Sequence, residues 1–187
     1  MEQAKKRDHK IYITDTAIDK ITSSNISYYA KEQNEMIDTK HKQLLARAKQ
    51  FNDSNETAVL FDLNTGDEAV MFGSENSVNI FENPSAVSMT NSHDKLLFLA
   101  HNHPSTQNFS YADLGVFLMN DNINGLSAVS NMGVAHIITK TEKYDFSNAY
   151  EELLTIRKQY DIIDDEANSS IVKAFLKRAK HIGIEYQ

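Results

Sequence analysis

The sequence of 187 residues predicts an α+β protein in which a mixed β-sheet is flanked by helices. Short apolar runs separated by turn residues occupy 52–140, and stretches with helical spacing of apolar residues lie on both sides. Hydrophobic residues make up 41% of the chain and charged residues 24%, values typical of a globular protein. We therefore expect an N-terminal helical extension over 1–51, a catalytic domain over 52–140 and a C-terminal helical extension over 141–187.

The N-terminal extension is predicted to be helical because residues 15–50 contain neither glycine nor proline and repeat apolar residues at helical spacing. Asp15 or Thr16 can cap its start, and residues 23–25 are expected to divide it into two helices. A short strand is predicted just before it, at residues 11–13.

The central domain is predicted to contain five strands and two helices. The turn sequence Asn64-Thr65-Gly66-Asp67 separates the first two apolar runs, which indicates a β-hairpin. A further turn at 131–133 separates the last two. The strands are expected at 57–63, 68–72, 95–100, 126–129 and 134–139, and the helices at 84–89 and 110–120.

The C-terminal extension is predicted to form two helices, over 147–160 and 168–182. Ser147 can cap the first, and either Asn168 or Ser169 can cap the second. Gly183 is the expected stop, because glycine readily adopts the left-handed conformation that ends many helices.

Composition argues against several classes of protein. The chain has no cysteine, which excludes disulfides, thiolate metal sites and cysteine nucleophiles. No run approaches eighteen consecutive apolar residues, and residues 1–10 are charged, so neither a membrane span nor a secretory signal is expected. These features predict a cytoplasmic protein.

The charge distribution disfavours nucleic-acid binding. The chain carries a net charge of −7, and residues 51–100 alone contribute −7. Because proteins bind nucleic acid largely by neutralising phosphates with lysine and arginine, the acidic centre disfavours that class. Basic clusters at Lys5, Lys6 and Arg7 and at 173–180 are interpreted as solvated surface.

The segment that indicates chemistry is His101-Asn102-His103-Pro104, followed by Ser110 and Asp113 at the start of a helix. Two histidines at i and i+2 on an extended chain point the same way. Two imidazoles, one carboxylate and an open fourth position are typical of a catalytic zinc site. The alternatives are a surface His-x-His pair and a helix-capping role for Ser110 and Asp113. An HNH nuclease is disfavoured, because its named residues are scattered over a longer motif.

HNHP followed by SxxD resembles the JAMM (JAB/MPN-domain) metalloprotease motif, and the wording HNHPS is closest to the bacterial RadC-like branch. The resemblance covers 52–140, about half of the chain. It implies a curved mixed sheet of the JAB/MPN type and one zinc ion per chain. His101, His103 and Asp113 would bind the zinc, Glu56 would be the general base, and Ser110 would donate a hydrogen bond to the developing oxyanion.

The sequence departs from the family pattern at two places. Six residues separate His103 from Ser110, where the family usually has seven, and Thr106 stands where the family commonly has glycine. Glu56 is chosen as the base because it directly precedes a strand. Glu68, Glu75 and Glu82 are the competing carboxylates.

The resemblance implies a zinc-dependent metallopeptidase or isopeptidase whose partner is a protein or peptide, such as a ubiquitin-like conjugate. The alternatives are a non-catalytic JAB-domain scaffold and a RadC-like protein with a DNA-associated function in mobile elements. The helical extensions are the expected specificity or assembly elements. Among the other histidines, His136 is interpreted as a sheet residue, and surface positions are expected for His9, His41, His93 and His181.

Overall fold

The computed structural model describes residues 10–187, so the basic cluster at 5–7 and His9 lie outside the described residues. The described chain is a mixed α+β protein with a six-stranded sheet flanked by helices, which confirms the predicted fold class. Within this range, no helix combines the length and the apolar character needed to cross a membrane.

The N-terminal segment contains two helices, α1 at Asp15–Asp19 and α2 at Lys31–Phe51. The predicted division into two helices is present, but the irregular stretch covers residues 20–30 and is longer than the predicted break at 23–25. The side chain of Asn34 holds that loop by accepting a hydrogen bond from the Ile26 N–H at 2.8 Å and donating to the Ile26 carbonyl at 3.2 Å. The predicted strand at 11–13 is absent, because its backbone joins the loop after the histidine motif through Ile11 N–H and the Pro104 carbonyl.

The six strands form one sheet in the order β2-β1-β3-β4-β5-β6. The pair β3–β4 is parallel and the other pairs are antiparallel. The strands are β1 Thr57–Asp62, β2 Glu68–Phe72, β3 Leu97–His103, β4 Ile123–Ser130, β5 Ala135–Lys140 and β6 Ile184–Tyr186. The remaining helices are α3 Pro84–Thr90, α4 Tyr111–Met119, α5 Phe146–Arg157 and α6 Asp165–Arg178, with short 3-10 turns at Ile80–Glu82 and Ala179–Ile182.

The C-terminal segment differs from its purely helical prediction. Its two helices are capped by Asp145 and Asp164, upstream of the predicted caps. Gly183 does stop the helical stretch, with φ +73°, and an added Cβ would lie 2.3 Å from the Tyr144 backbone nitrogen. The strand β6 was not predicted; it follows Gly183 directly and adds to the edge of β5.

The alternation of side chains along each strand divides the core into two layers. On β1, Ala58 and Leu60 face the layer that contains α3, α4, α5 and α6, whereas Val59 and Phe61 face α2. On β3 the same alternation places Leu97 and Leu99 towards the four-helix layer. Helices from both flanking segments therefore cover the sheet, one layer on each face.

His41 is buried under the sheet, so the prediction of a surface position was wrong. It lies on α2 between the buried residues Ile37 and Leu44 and is 0% exposed. Its Nε2 atom lies 2.8 Å from Ser127 Oγ, and its ring packs edge-on against Phe98. Burial lowers the pKa of His41 to about 4, against a smaller opposing effect of Asp38.

The protein is expected to lose stability as pH falls from about 6.5 to about 4, partly because of His41. In this window the unfolded chain protonates His41 and the folded chain does not, so acid favours unfolding. The full effect of this one group is on the order of 3 kcal/mol. Urea unfolding of the wild type and of His41→Gln at pH 5 and pH 7.5 measures it. The variant should show a smaller pH dependence, and identical pH dependence in both proteins would contradict the assignment.

Candidate metal centre

The two histidines of the motif lie at the C-terminal end of β3, at the central parallel pair of the sheet. The strand continues through His103, so both imidazoles point to one face. Leu97 and Leu99 on the same strand face the four-helix layer, and the alternation gives His101 and His103 that direction. Both side chains are nearly enclosed, at 3% and 7% exposure for the residues.

Asp113 reaches the histidines from the first turn of α4. Ser110 is the N-cap of this helix, and its Oγ accepts a hydrogen bond from the Asp113 backbone N–H at 3.1 Å. In return, Asp113 Oδ2 accepts hydrogen bonds from the Ser110 backbone N–H at 2.6 Å and from its hydroxyl at 2.7 Å. This reciprocal capping box fixes the carboxylate towards β3.

The three side chains bring their ligand atoms within 4.8 Å of one another. Asp113 Oδ2 lies 3.5 Å from His101 Nε2 and 3.8 Å from His103 Nε2. Tetrahedral zinc with its usual bond lengths separates its ligand atoms by about 3.3–3.5 Å, so the carboxylate is suitably placed. The two imidazole Nε2 atoms are 2.8 Å apart and would have to separate by about 0.5 Å. The donor set therefore fits zinc with a small movement of the rings.

The short contact between the rings is a hydrogen bond in which one imidazole donates and the other accepts. Burial alone would lower the pKa of His101, but the Asp113 carboxylate raises it above its ordinary value. Burial lowers the pKa of His103 to about 4, and the charge of His101 acts in the same direction. Burial opposes the charge on Asp113, yet His101 and His103 hold the pKa of that carboxyl well below its usual range. Zinc would replace the ring proton in this arrangement.

The second nitrogen of His103 is also directed by the protein. Its Nδ1 atom lies 3.3 Å from the backbone carbonyl of Gln107, in the loop that joins β3 to α4. A carbonyl acceptor keeps the proton on Nδ1 and leaves Nε2 free to bind a metal. The loop that is one residue shorter than the family pattern thus still returns to the histidine.

Glu56 lies immediately before β1, on the same face as the histidines. The β1–β3 register pairs Ala58 with His101, so Glu56, two residues earlier, lies towards His103. Its backbone continues the pairing with the β2 side through hydrogen bonds to Ser74 and Gly73. Burial raises the pKa of Glu56 to about 7, while the nearby His101 charge opposes this shift. Glu56, His103, Ser110 and Asp113 line a common cleft.

Asn102, between the two histidines, points to the opposite face of β3 and fastens the segment that carries Glu56. Its Oδ1 accepts a hydrogen bond from the Thr57 N–H at 2.8 Å, and its Nδ2 donates to the Asn55 carbonyl at 3.1 Å. The same Nδ2 donates to Asn131 Oδ1 at 2.7 Å. The fully buried side-chain amide of Asn102 therefore binds both residues that flank Glu56 and attaches them to β3, the strand that carries the histidines.

The competing carboxylates occupy different places. Glu68 forms ion pairs with Lys40 at 2.6 Å and Arg47 at 2.7 Å, both on α2. Glu82 accepts a hydrogen bond from Asn79 at 3.1 Å. Glu75 is exposed and lines the cleft together with Glu56. Glu56, by contrast, is half-buried. Glu75 is therefore the one competing carboxylate that shares the cleft with Glu56.

The cleft above the histidines has a volume of about 570 Å³. One wall comes from the C-terminal segment, where Asn168 of α6 accepts a hydrogen bond from the Tyr111 N–H at 2.7 Å. The sequence did not reveal this contribution, because Asn168 was interpreted only as a candidate helix cap. The acidic side chains at the cleft are Glu56, Glu75, Asp113, Asp164 and Asp165.

Within residues 10–187, the only convergent group of three potential metal ligands is His101, His103 and Asp113. His136 lies on β5 and its Nδ1 is 3.0 Å from the Tyr186 hydroxyl, in agreement with its interpretation as a sheet residue. His93 and His181 are exposed as predicted. Comparison of the chain with models of protein families, with curated proteins and with solved structures found no match in any of the three.

Proposed function

We propose that the protein is a zinc-dependent hydrolase of peptide or lysine-linked isopeptide bonds. The observation that carries the proposal is the convergence of His101, His103 and Asp113 beside an open cleft that is also lined by the half-buried Glu56. Two imidazoles and one carboxylate leave the fourth position of a tetrahedral site for a reactant. The resemblance of HNHP and SxxD to the JAMM metalloprotease motif supports the same class.

Each side chain at the cleft has a chemical task in this proposal. A zinc ion held by His101, His103 and Asp113 supplies Lewis-acid activation of water and carbonyl. Glu56 accepts the proton of the attacking water and delivers it to the leaving amine as the C–N bond breaks. Ser110 donates its hydroxyl hydrogen bond to the carbonyl oxygen as that oxygen gains charge. In the structure the same hydroxyl donates a hydrogen bond to Asp113 Oδ2 at 2.7 Å.

The acidic lining supports a protein substrate over a nucleic acid. The cleft carries four carboxylates besides the ligand Asp113, and its single lysine, Lys10, is paired with Asp53 at 2.9 Å. Phosphates would be repelled by this lining, whereas a lysine of a substrate would be attracted. The scaffold alternative has no specific observation in its favour, because a scaffold needs no convergent ligands.

The test combines metal analysis with hydrolysis. The purified protein should contain one zinc per chain and should cleave members of a panel of peptides and lysine isopeptides. A chelator should stop cleavage and added zinc should restore it. The proposal fails if the zinc-loaded protein cleaves no member of the panel, or if cleavage continues at the same rate after zinc is removed.

Ser110 has a structural and a catalytic task, and Ser110→Ala separates them. Loss of the helix cap should lower stability by about 1 kcal/mol, measured by urea unfolding. Loss of the oxyanion donor should lower kcat by roughly 10²–10³ when it is measured at saturating zinc, a condition that is needed because the same hydroxyl is hydrogen-bonded to the proposed ligand Asp113. A matched control is Asp145→Ala, which removes the cap of α5 away from the cleft and should lower stability alone. Equal kcat in the two variants would contradict the catalytic task.

A further inference from the structure

A second concavity, here called the α6 groove, adjoins the cleft and has a volume of about 600 Å³. The loop at 106–109 forms one side, and α6 forms the other. Its floor is apolar: Phe109 and Val172 are almost completely buried, and Leu176 is half-buried beside them. Leu176 is therefore the apolar side chain that the groove exposes to an extended chain, above the buried Phe109 and Val172.

The rim of the α6 groove carries the opposite charge to the cleft. Lys173 and Lys177 lie one turn apart on α6, and both are exposed. Neither has an ion-pair partner within 4.0 Å in the part of the chain that the structure describes. Asp165 is the one acidic residue that lines the groove. The two neighbouring concavities thus differ in charge, with an acidic cleft and a basic groove.

The groove and the cleft adjoin each other, since Gln107, Asp165 and Asn168 line both. Gln107 also contacts the metal ligand His103 through its backbone carbonyl. Asn168 is anchored to the first residue of α4, two positions before Asp113. A chain that leaves the catalytic cleft on this side therefore enters the α6 groove.

We propose that the α6 groove binds the part of a protein substrate next to the scissile bond, and that this part is apolar and acidic. A lysine of the same substrate lies in the acidic cleft, and carboxylates a few residues away lie against Lys173 and Lys177. The inference rests on the proposed hydrolase, since it names the substrate class of the same site. The charge of the two surfaces sets both the register and the direction of the bound chain.

The test measures binding rather than turnover. The Glu56→Gln variant, loaded with zinc, is titrated with fluorescent peptides of about ten residues. Each peptide has a lysine, an apolar residue and two glutamates, with the glutamates either before or after the lysine. One of the two orders should bind, and Lys173→Glu with Lys177→Glu should weaken it at least about 10-fold, because two attractions become repulsions. That double variant should instead prefer a peptide in which the glutamates are replaced by lysines.

Two further proteins make the result decisive. Lys20→Glu with Lys42→Glu introduces the same charge change at two exposed positions, one directly after α1 and one on α2, and it should leave peptide affinity unchanged. Lys173→Gln with Lys177→Gln should weaken binding by a smaller factor and avoids acidic residues near the C-terminal end of α6. If the double variants of Lys173 and Lys177 bind every peptide with the same affinity as the control variant, the inference is overturned. Charge-dependent binding without hydrolysis by the wild type would overturn the proposed hydrolase and leave the groove assignment intact.

Discussion

Replacing Glu56 by glutamine is expected to lower hydrolysis by roughly 10²–10⁴, the usual contribution of a positioned acid–base group. The amide keeps the size of the side chain and most of its hydrogen bonding but cannot take a proton. Zinc content should therefore match the wild type, and thermal stability should be equal or higher, because burial disfavours the charged form of Glu56. Single-turnover kinetics and metal analysis on the same preparation give the rate of hydrolysis and the zinc content.

Glu75→Gln is the matched control for Glu56→Gln, because Glu75 is a carboxylate of the same cleft. Glu75 is exposed, so its replacement should change stability by at most about 0.5 kcal/mol and leave the rate near that of the wild type. If the rate falls in Glu75→Gln and persists in Glu56→Gln, the base has been assigned to the wrong glutamate even though the class of enzyme stands.

Conversion of His101, His103 and Asp113 together to alanine is expected to abolish zinc binding and all zinc-dependent hydrolysis. Even hydrogen-bond partners of metal ligands are worth about 10–100-fold in affinity, so loss of the ligands themselves has a larger effect. Single substitutions should each weaken zinc affinity by more than about 100-fold. Equilibrium titration with a competing chelator measures the affinities.

His93→Ala is the control for the ligand variants, since His93 is an exposed histidine outside the cluster. It should retain one zinc per chain and full activity. Circular dichroism on each variant separates loss of metal from loss of fold, because His101 and His103 are buried. Stoichiometric zinc in the folded triple variant would contradict the assignment of the ligands.

The sequence predicted the elements whose signal is local. The hairpin of β1 and β2 and the start of α4 appear close to their predicted positions, because turn residues and a helix cap act over a few residues. The strand β6 has only three residues and follows a helical turn, so it exists only because β5 offers an edge. The loop before α2 had helical spacing of apolar residues, but the contacts of the Asn34 side chain with Ile26 give it another conformation.

His41 shows why a neighbour-by-neighbour interpretation failed. Lys40 and Lys42 flank it in the sequence and made it look exposed. Its spacing of four residues from Ile37 and three from Leu44 would have placed it on the buried stripe of α2. The helical period therefore indicated that His41 is buried, whereas the charge of its sequence neighbours wrongly indicated that it is exposed.

The geometry of the candidate site was predictable where its residues follow one another along the chain. His101 and His103 share a face by strand alternation, and Asp113 follows from the spacing of the cap. The amide network of Asn102 and the contribution of Asn168 connect segments that are 45 and 57 residues apart, at Thr57 and Tyr111 respectively. No local pattern encodes such contacts, because they arise only when the sheet and the C-terminal helices assemble.

The network around Asn102 bears on how folding would be coupled to the proposed zinc binding. Hydrogen bonds and strand pairing between protein groups hold the strand of His101 and His103 in register with the Glu56 segment. We therefore expect the proposed zinc ion to bind a chain that is already folded, in contrast to zinc fingers, whose folding free energy is the metal-binding free energy. Removal of the ion should then stop the proposed chemistry reversibly and leave the protein folded. We expect reconstitution to be a bimolecular association, with a rate proportional to zinc concentration and no refolding phase.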